Sequence, residues 1–90
     1  MVVQIDPSSE VQHVLTLIAQ SIVDEPAKVR VDAETHRNET VMYLRVAPND
    51  LPGIIGINGN VGDSLRDLLG NMSVKYKHLF ALDIRAAVAD

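Results

Sequence analysis

Apolar residues recur along this chain at two spacings, one typical of helices and one typical of strands. From residue 11 to residue 23 they follow the period of an amphipathic helix, with Asp6-Pro7 or Ser9 and Gln12 as start signals and Glu25-Pro26 as the stop. The buried stripe of this helix is predicted to comprise Val11, Val14, Leu15, Ile18 and Ile22.

Three shorter segments alternate apolar and polar residues, which is the pattern of half-buried strands. They cover residues 28 to 33, 41 to 47 and 80 to 86, and the polar stretch Glu34 to Thr40 is predicted to be a hairpin loop. Pro48 ends the second strand, because proline lacks the N–H that a strand ladder needs. The open face of the sheet is predicted to carry Arg30, Tyr43, Arg45, Asp83 and Arg85.

Two closely spaced helices are predicted between the second and third strands. Asn49 or Asp50 caps a short helix that Gly56 stops, and Asn60 caps the longer helix that follows. The longer helix has the apolar stripe Val61, Leu65, Leu68, Leu69, Met72 and Tyr76.

The order helix, strand, strand, helix, helix, strand predicts an α+β fold, with three helices packed on one face of a three-stranded sheet. Ninety residues are the size of one domain, and no repeat, linker or low-complexity segment divides them. We therefore expect a single domain over residues 1–90, with its core at about residues 8–88.

The segment between the two closely spaced helices has the features of an anion-binding loop. This segment, Gly56-Ile57-Asn58-Gly59, follows a strand that ends Leu44-Arg45-Val46-Ala47-Pro48. Its glycines allow a tight turn and the close approach of another backbone, since they have no Cβ. The next helix directs its amide groups and its positive dipole end toward the same point, so the loop can hold a phosphate.

The loop and its flanking helices resemble the Ile-Gly-x-x-Gly mark of the KH-domain family, over about residues 11 to 87. The chain is most similar to the small single-KH bacterial RNA-binding proteins of the KhpA type, which also have Arg at the place of Arg66. The resemblance implies the KH-type αββααβ arrangement.

The resemblance also implies binding of single-stranded RNA. In KH domains the loop clamps the backbone of about four nucleotides, and the bases lie in an apolar groove. Here Ile54, Ile55, Val61, Leu65 and the strand over residues 41 to 46 are expected to line that groove. The residues expected to contact RNA are Ile55, Gly56, Ile57, Asn58, Gly59, Asn60, Val61, Leu65, Arg66 and Arg45.

A partner and a cellular role are implied by the same resemblance. We expect a homodimer, or a heterodimer with a larger KH-containing protein, and pairing would raise the avidity of so small a module. The implied role is that of an RNA chaperone, in RNA metabolism linked to cell division and envelope growth. No cofactor and no enzymatic activity are implied.

The charge of the chain departs from the family pattern. The net charge is −4, with seven acidic and three basic side chains in residues 1 to 40 and five of each in residues 41 to 90. KH loops usually carry Lys or Arg, whereas this loop has Ile57 and Asn58, and Asp63 and Asp67 follow. Weak affinity with a shallow salt dependence is therefore expected. The alternative is a protein-interaction subunit that has lost most of its affinity for nucleic acid.

Composition excludes several other classes of site. The chain has no cysteine, which excludes disulfides and thiolate metal sites. The three histidines lack metal-ligand spacing, and no serine stands in the context of a nucleophile elbow. No stretch approaches the roughly 20 apolar residues that span a bilayer, so a cytoplasmic protein without membrane contact is expected.

Overall fold

The computed structural model describes residues 7–88 and has the predicted order of elements. The helices and strands are α1 (Pro7–Ile22), β1 (Arg30–His36), β2 (Glu39–Val46), α2 (Leu51–Ile55), α3 (Asn60–Tyr76) and β3 (Leu79–Ala86). One-turn 3₁₀ helices occur in the connections at Pro26–Lys28, Pro48–Asp50 and Ile57–Gly59. The predicted α+β fold is confirmed, while Asp6, one of the suggested start signals, lies outside the described residues.

The central strand of the sheet is β2. It pairs antiparallel with β1 and parallel with β3, which gives the order β1-β2-β3. The parallel pairing follows from the path of the chain, since β2 reaches β3 only through helices that cross one face of the sheet. On that face Met42, Leu44 and Val46 are fully buried, whereas Tyr43 and Arg45 on the opposite face are half-buried.

An aliphatic core fills the space between the helices and the sheet. Its buried members are Val11, Leu15, Ala19, Val29, Val31, Met42, Leu44, Val46, Ile54, Leu65, Leu69, Phe80 and Leu82. In α1 the line of buried residues passes through Ala19 (0% exposed), and Ile22 is 44% exposed. The prediction that Ile22 is buried is therefore wrong, because it belongs to the neighbouring line of the helix surface, at the margin of the contact.

The β1–β2 hairpin is tighter than the sequence predicts. Strand pairing continues to His36 opposite Glu39, so only Arg37 and Asn38 form the turn, with Arg37 at φ 59°. The prediction of a loop from Glu34 to Thr40 is therefore wrong, because the polar residues of this stretch pair across the two strands.

A buried hydroxyl group explains why such a polar stretch remains in the sheet. The side chain of Thr40 is 0% exposed, and its Oγ1 lies 2.6 Å from Nε2 of His78, 2.8 Å from Oγ1 of Thr35 and 3.1 Å from Oγ of Ser8. A polar side chain can occupy the inner face of a strand when it is hydrogen-bonded in this way. The first turn of α1, both strands of the hairpin and the segment before β3 therefore meet at one atom.

The carboxylate of Asp50 joins two connections that are distant in sequence. Asp50 is 6% exposed, and its two oxygens accept hydrogen bonds from the backbone N–H groups of Asp24 at 2.9 Å and Glu25 at 3.0 Å. Asp50 occupies the cap position of α2, one of the two that the sequence predicts, but its side chain makes no capping hydrogen bond to that helix. The carboxylate holds the α1–β1 connection instead, because the N–H groups of this bend have no partner in a helix or strand.

Replacing Asp50 by asparagine tests this contact. The change keeps the shape of the side chain but turns one accepting oxygen into an NH₂ group that faces an N–H donor. We expect the Asp50→Asn variant to lose about 1–3 kcal/mol of unfolding free energy in urea denaturation. The matched control is Asp67→Asn, at an exposed position of α3, which should change stability by less than about 0.5 kcal/mol. Equal stabilities of the two variants would contradict the role assigned to Asp50.

Candidate nucleic-acid interface

The loop between α2 and α3 separates the two helices, and positive φ angles fix its backbone conformation. The first helix ends at Gly56 (φ 85°, ψ 175°), and Asn58 (φ 55°) and Gly59 (φ 77°) adopt the left-handed conformation before α3 begins. Glycine and asparagine are the residues that take such angles at lowest cost. The side chain of Ile57 is 81% exposed, so the loop is open to solvent and interrupts the helix as predicted.

The two glycines of the loop have different surroundings. A Cβ on Gly56 would lie 2.5 Å from both Oδ1 of Asn60 and Cγ2 of Val61, whereas nothing lies within 4 Å of a Cβ on Gly59. The glycine at position 56 therefore lets α3 pack closely against the end of α2. The glycine at position 59 supplies the positive φ and leaves the outer side of the loop clear.

Asn60 is the first residue of α3 and not its cap, so this prediction is wrong. The cap position is occupied by Gly59, and no side chain accepts a hydrogen bond from the start of the helix. The left-handed conformation of Gly59 brings the chain directly into the helix, which moves the start back by one residue. The first turn of α3 therefore faces the loop with its positive dipole end and without a side-chain acceptor.

The predicted contact residues differ in exposure. Those that are exposed are Ile55, Ile57, Asn58, Asn60 and Arg66, and those that are half-buried are Gly56, Gly59, Val61 and Arg45. By contrast, Leu65 is 5% exposed and belongs to the core. Its side chain supports α3 from the inside and offers little surface to a ligand.

The prediction that Ile54 and strand β2 line the groove is wrong. The side chains of Ile54, Met42, Leu44 and Val46 are 0% exposed and unavailable to a ligand. The reason is that β2 is the central strand, whereas β3 is the edge strand packed beside α3. Alternation of apolar residues does not distinguish an edge strand from a central one. The parallel return of the chain after two helices was the signal that could have indicated β3.

Beside the loop, α3 packs closely against the end of α2 and against β3 around the buried Gly62. A Cβ on Gly62 would lie 3.2 Å from Nη1 of Arg66, 3.5 Å from Cδ1 of Ile84 and 3.7 Å from the carbonyl oxygen of Ile55. We call this surface, formed by Ile55, Gly62, Arg66 and Ile84 beside the loop, the loop cleft. The sequence reasoning missed Gly62 and Ile84. A glycine inside a helix, where it costs about 1 kcal/mol, was the signal for a close approach.

The two arginines predicted as contacts lie in different places. On α3, Arg66 is exposed, with Nη1 3.9 Å from Oδ1 of Asp63. On the open face of the sheet, Arg45 donates a hydrogen bond of 2.6 Å to Asp32. The structure therefore does not bring Arg45 into the loop cleft.

Positive charge nevertheless gathers around the end of β3. The hydrogen bond from Arg85 lowers the pKa of Asp83 below its usual value, and the charges of Arg85, Arg66 and Arg45 add to this effect. Asp83 therefore lies within the field of basic side chains from both faces of the sheet.

Within residues 7–88, no three His, Cys, Asp or Glu side chains are grouped so that they could hold a metal ion. The helices in this part of the chain are too short or too polar to cross a membrane.

A family model described as KhpA/KhpB, KH domain, matches residues 12–84. The chain belongs to the KhpA/KhpB family of KH domains. Several relatives carry the name RNA-binding protein KhpA. The Clostridium acetobutylicum protein is 30% identical over 73 residues, which are 81% of this chain and 97% of the relative. The Treponema pallidum protein is 30% identical, with 81% of this chain and 91% of the relative covered. The Leifsonia xyli protein is 40% identical over 55 residues, 61% of this chain and 72% of the relative.

The KH fold has a counterpart among solved structures. A crystal structure of Aquifex aeolicus Era matches with a TM-score of 0.63 and 15% identity, over 99% of this chain and 34% of the Era chain. This KhpA/KhpB-family chain thus spans about a third of the Era chain, and at this identity the likeness concerns the fold alone. The KhpA-type resemblance predicted from the loop and its flanking elements is confirmed.

Alanine at the two loop glycines should have unequal effects. We expect Gly56→Ala to lower the unfolding free energy by about 3 kcal/mol or more, because its Cβ would collide with Val61 in a backbone conformation that only glycine takes readily. For Gly59→Ala we expect about 1–2 kcal/mol, the cost of the left-handed conformation alone. Urea denaturation measures both variants, and equal losses would contradict the packing role of Gly56.

Proposed function

We propose that this KH domain binds single-stranded RNA through the Gly56–Gly59 loop and the adjacent loop cleft. The observation that carries the proposal is the loop itself, a solvent-exposed break with three positive φ angles that leads into an uncapped helix. Membership of the KhpA/KhpB family supports it, since the relatives named above are called RNA-binding proteins.

The loop acts through the shape of its backbone, since the N–H groups of Gly56 and Gly59 already donate to the carbonyl oxygens of Pro52 and Gly56. A phosphate lies against Gly56, Ile57, Asn58 and Gly59, where glycine allows close approach and the dipole of α3 favours negative charge. Asn60, the residue after the loop, offers its side-chain amide to the same RNA strand.

The bases lie in the loop cleft. Its apolar surface comes from Ile55, Val61 and Ile84, with Leu65 holding α3 in position from the core. From the rim of the cleft, Arg66 contacts a phosphate or stacks on a base. Arg45 lies outside the loop cleft, on the open face of the sheet, and does not touch the nucleotides that the loop holds.

Binding at this site is weak. The loop has no Lys or Arg, and Asp63 and Asp67 lie on the first two turns of α3. Few cations are therefore available to release counterions from the RNA, and the salt dependence is shallow.

A second copy or a larger KH-containing protein compensates for this weakness, because two linked modules bind with higher avidity than one. We place the protein in the cytoplasm, as an RNA chaperone without catalytic activity, in RNA metabolism linked to cell division and envelope growth.

A second candidate function is that of a protein-interaction subunit. The observation that favours it is the apolar character of the loop surface, where Ile57 is 81% and Ile55 38% exposed. Exposed apolar side chains grouped at one point are typical of a protein contact. In that case the loop packs against a partner chain and does not hold a phosphate.

Substitutions at the exposed tip of the loop distinguish the two functions. We expect Ile57→Lys to strengthen binding of mixed-sequence single-stranded RNA several-fold at low salt and to steepen the salt dependence by about 0.7 in slope, the value for one added phosphate contact. Because Asn58 is in the left-handed conformation, which aspartate also tolerates, Asn58→Asp keeps the loop shape and adds a negative charge. We expect it to weaken binding about tenfold, or 1.4 kcal/mol.

Ile57→Gln is the control, since it removes the apolar side chain without adding charge. Fluorescence anisotropy at several salt concentrations measures all four proteins. Absence of binding by both the wild type and Ile57→Lys at low salt would leave the protein-interaction function.

The proposed self-association has a test of its own. Light scattering of the isolated chain at high concentration should give the mass of two chains. A mass of one chain under these conditions excludes the homodimer and leaves pairing with a larger KH-containing protein.

A further inference from the structure

Three arginines form a line across the open face of the sheet. In the strand register Arg30 of β1 lies opposite Arg45 of β2, and Arg45 lies beside Arg85 of β3. Neighbouring strands are about 4.8 Å apart, so the three side chains start from a straight row about 10 Å long. We call Arg30, Arg45 and Arg85 the arginine row.

The ion pairs of the row are at the surface and are easily exchanged. One joins Arg45 to Asp32, with the two side chains 36% and 62% exposed, and the other joins Arg85 to Asp83 at 2.8 Å. Exposed pairs of this kind contribute about 0–1 kcal/mol, so a phosphate can replace the carboxylate.

The third member of the row has no acidic partner within residues 7–88. The guanidinium of Arg30 contacts the carbonyl oxygens of Ala27 at 3.3 Å and Val29 at 3.0 Å. It therefore keeps its positive charge uncompensated.

A groove continues from the row around the end of the sheet. The groove is open to solvent and has a volume of about 690 Å³. It is lined by Ala27, Lys28, Arg30, Arg45, Pro48, Ala87 and Val88. Three of these side chains are basic and none is acidic, and two of the basic ones are paired at the margin of the groove, Lys28 with Glu25 at 3.7 Å and Arg45 with Asp32 at 2.6 Å.

The row and the loop cleft lie at the same end of β3, on opposite faces. In the cleft Ile84 lies beside Gly62, and Arg85, the next residue of β3, points to the open face. The lowered pKa of Asp83, caused first by the hydrogen bond from Arg85 and also by the charges of Arg66 and Arg45, fits this proximity. An RNA strand that leaves the loop cleft reaches the arginine row by passing the end of β3, which is an edge strand of the sheet.

An aromatic ring next to the row favours a nucleic acid over an acidic peptide. In the neighbouring row of the sheet, Tyr43 lies between Asp32 and Asp83, and the guanidinium carbon of Arg85 is 5.1 Å from the centre of its ring. Basic side chains beside an aromatic ring hold phosphates and stack bases in single-strand binding proteins. The carboxylates of an acidic peptide would use the arginines alone, whereas a nucleic acid can use both the arginines and the ring.

We propose that the arginine row is a second RNA contact, which binds phosphates of the strand that extends beyond the loop cleft. The inference rests on the proposed function, because the strand reaches the row from the loop. The three arginines, set against the two paired carboxylates of Asp32 and Asp83, leave one net positive charge in the row, which the loop lacks.

The length of the RNA separates the two contacts. A tetranucleotide fills the loop cleft alone, since a KH loop holds about four nucleotides, whereas a dodecanucleotide extends to the row. We expect the variant R30Q/R45Q/R85Q to bind the tetranucleotide like the wild type and the dodecanucleotide at least tenfold more weakly. Its salt slope for the dodecanucleotide should fall by about 2, the value for three phosphate contacts to a single strand.

The matched control removes the same charge at the opposite end of the sheet. The variant R37Q/K75Q/K77Q changes residues at the β1–β2 turn and at the end of α3. These two places are close together, since the N–H of Leu79 donates to the carbonyl oxygen of Asn38. This control should bind both RNAs almost like the wild type. Circular dichroism and urea midpoints establish that each variant is folded.

The outcomes distinguish failure of the row from failure of the loop. If the row variant loses no more dodecanucleotide affinity than the control, the row is not an RNA contact, although the loop still is. If Asn58→Asp leaves dodecanucleotide binding intact and the row variant abolishes it, the loop is not the site, and the inference that the row extends a loop site is overturned with it. A wild type that binds neither RNA overturns both proposals. A row variant that changes only the mass in light scattering shows a protein contact and overturns the inference.

Discussion

The steric constraint at Gly56 determines how the two halves of this domain meet. Where a side chain would stand at this position, Asn60 and Val61 already occupy the space. Because they do, α3 starts close to the end of α2, and its inner residues Leu65 and Leu69 reach the core. The same close start places the first turn of α3 beside Ile84 of the edge strand. Both the fold of the second half and the cleft beside the loop therefore depend on one missing Cβ.

The backbone shape that fits a phosphate and the basic side chains lie in different parts of this molecule. The loop offers backbone geometry and a helix dipole but no basic side chain, whereas the line of arginines offers charge on a flat strand surface. Backbone groups act at short range and select a conformation of the ligand, and guanidinium groups act at longer range and respond to salt. A KH domain with a neutral loop can thus hold an RNA strand in position, while the electrostatic attraction for that RNA comes from the other face of the sheet.

Local patterns were sufficient to predict the elements, and tertiary pairing accounts for the errors. Helical spacing after Val61 and alternation after Phe80 correctly indicated α3 and β3. The stretch before Thr40 was taken for a loop because its hydroxyl groups find partners only in the folded sheet. The carboxylate of Asp50 was taken for a cap because its true partners, at residues 24 and 25, are distant in sequence. The loop was recognised from its two glycines, but the wall of the cleft depends on which strand lies at the edge, and alternation carries no information about strand order.

The hydroxyl of Thr40 has one hydrogen and two lone pairs, which match the number of its neighbours, Ser8, Thr35 and His78. Each of these contacts is satisfied only while the other two keep their directions, so they are not independent fastenings. If the first turn of α1 loosens, the Thr40 hydroxyl loses one partner and can rotate. Its hydrogen bonds to the hairpin and to the segment before β3 are then weakened. In amide hydrogen exchange these three segments should open as one cooperative unit and not one after another.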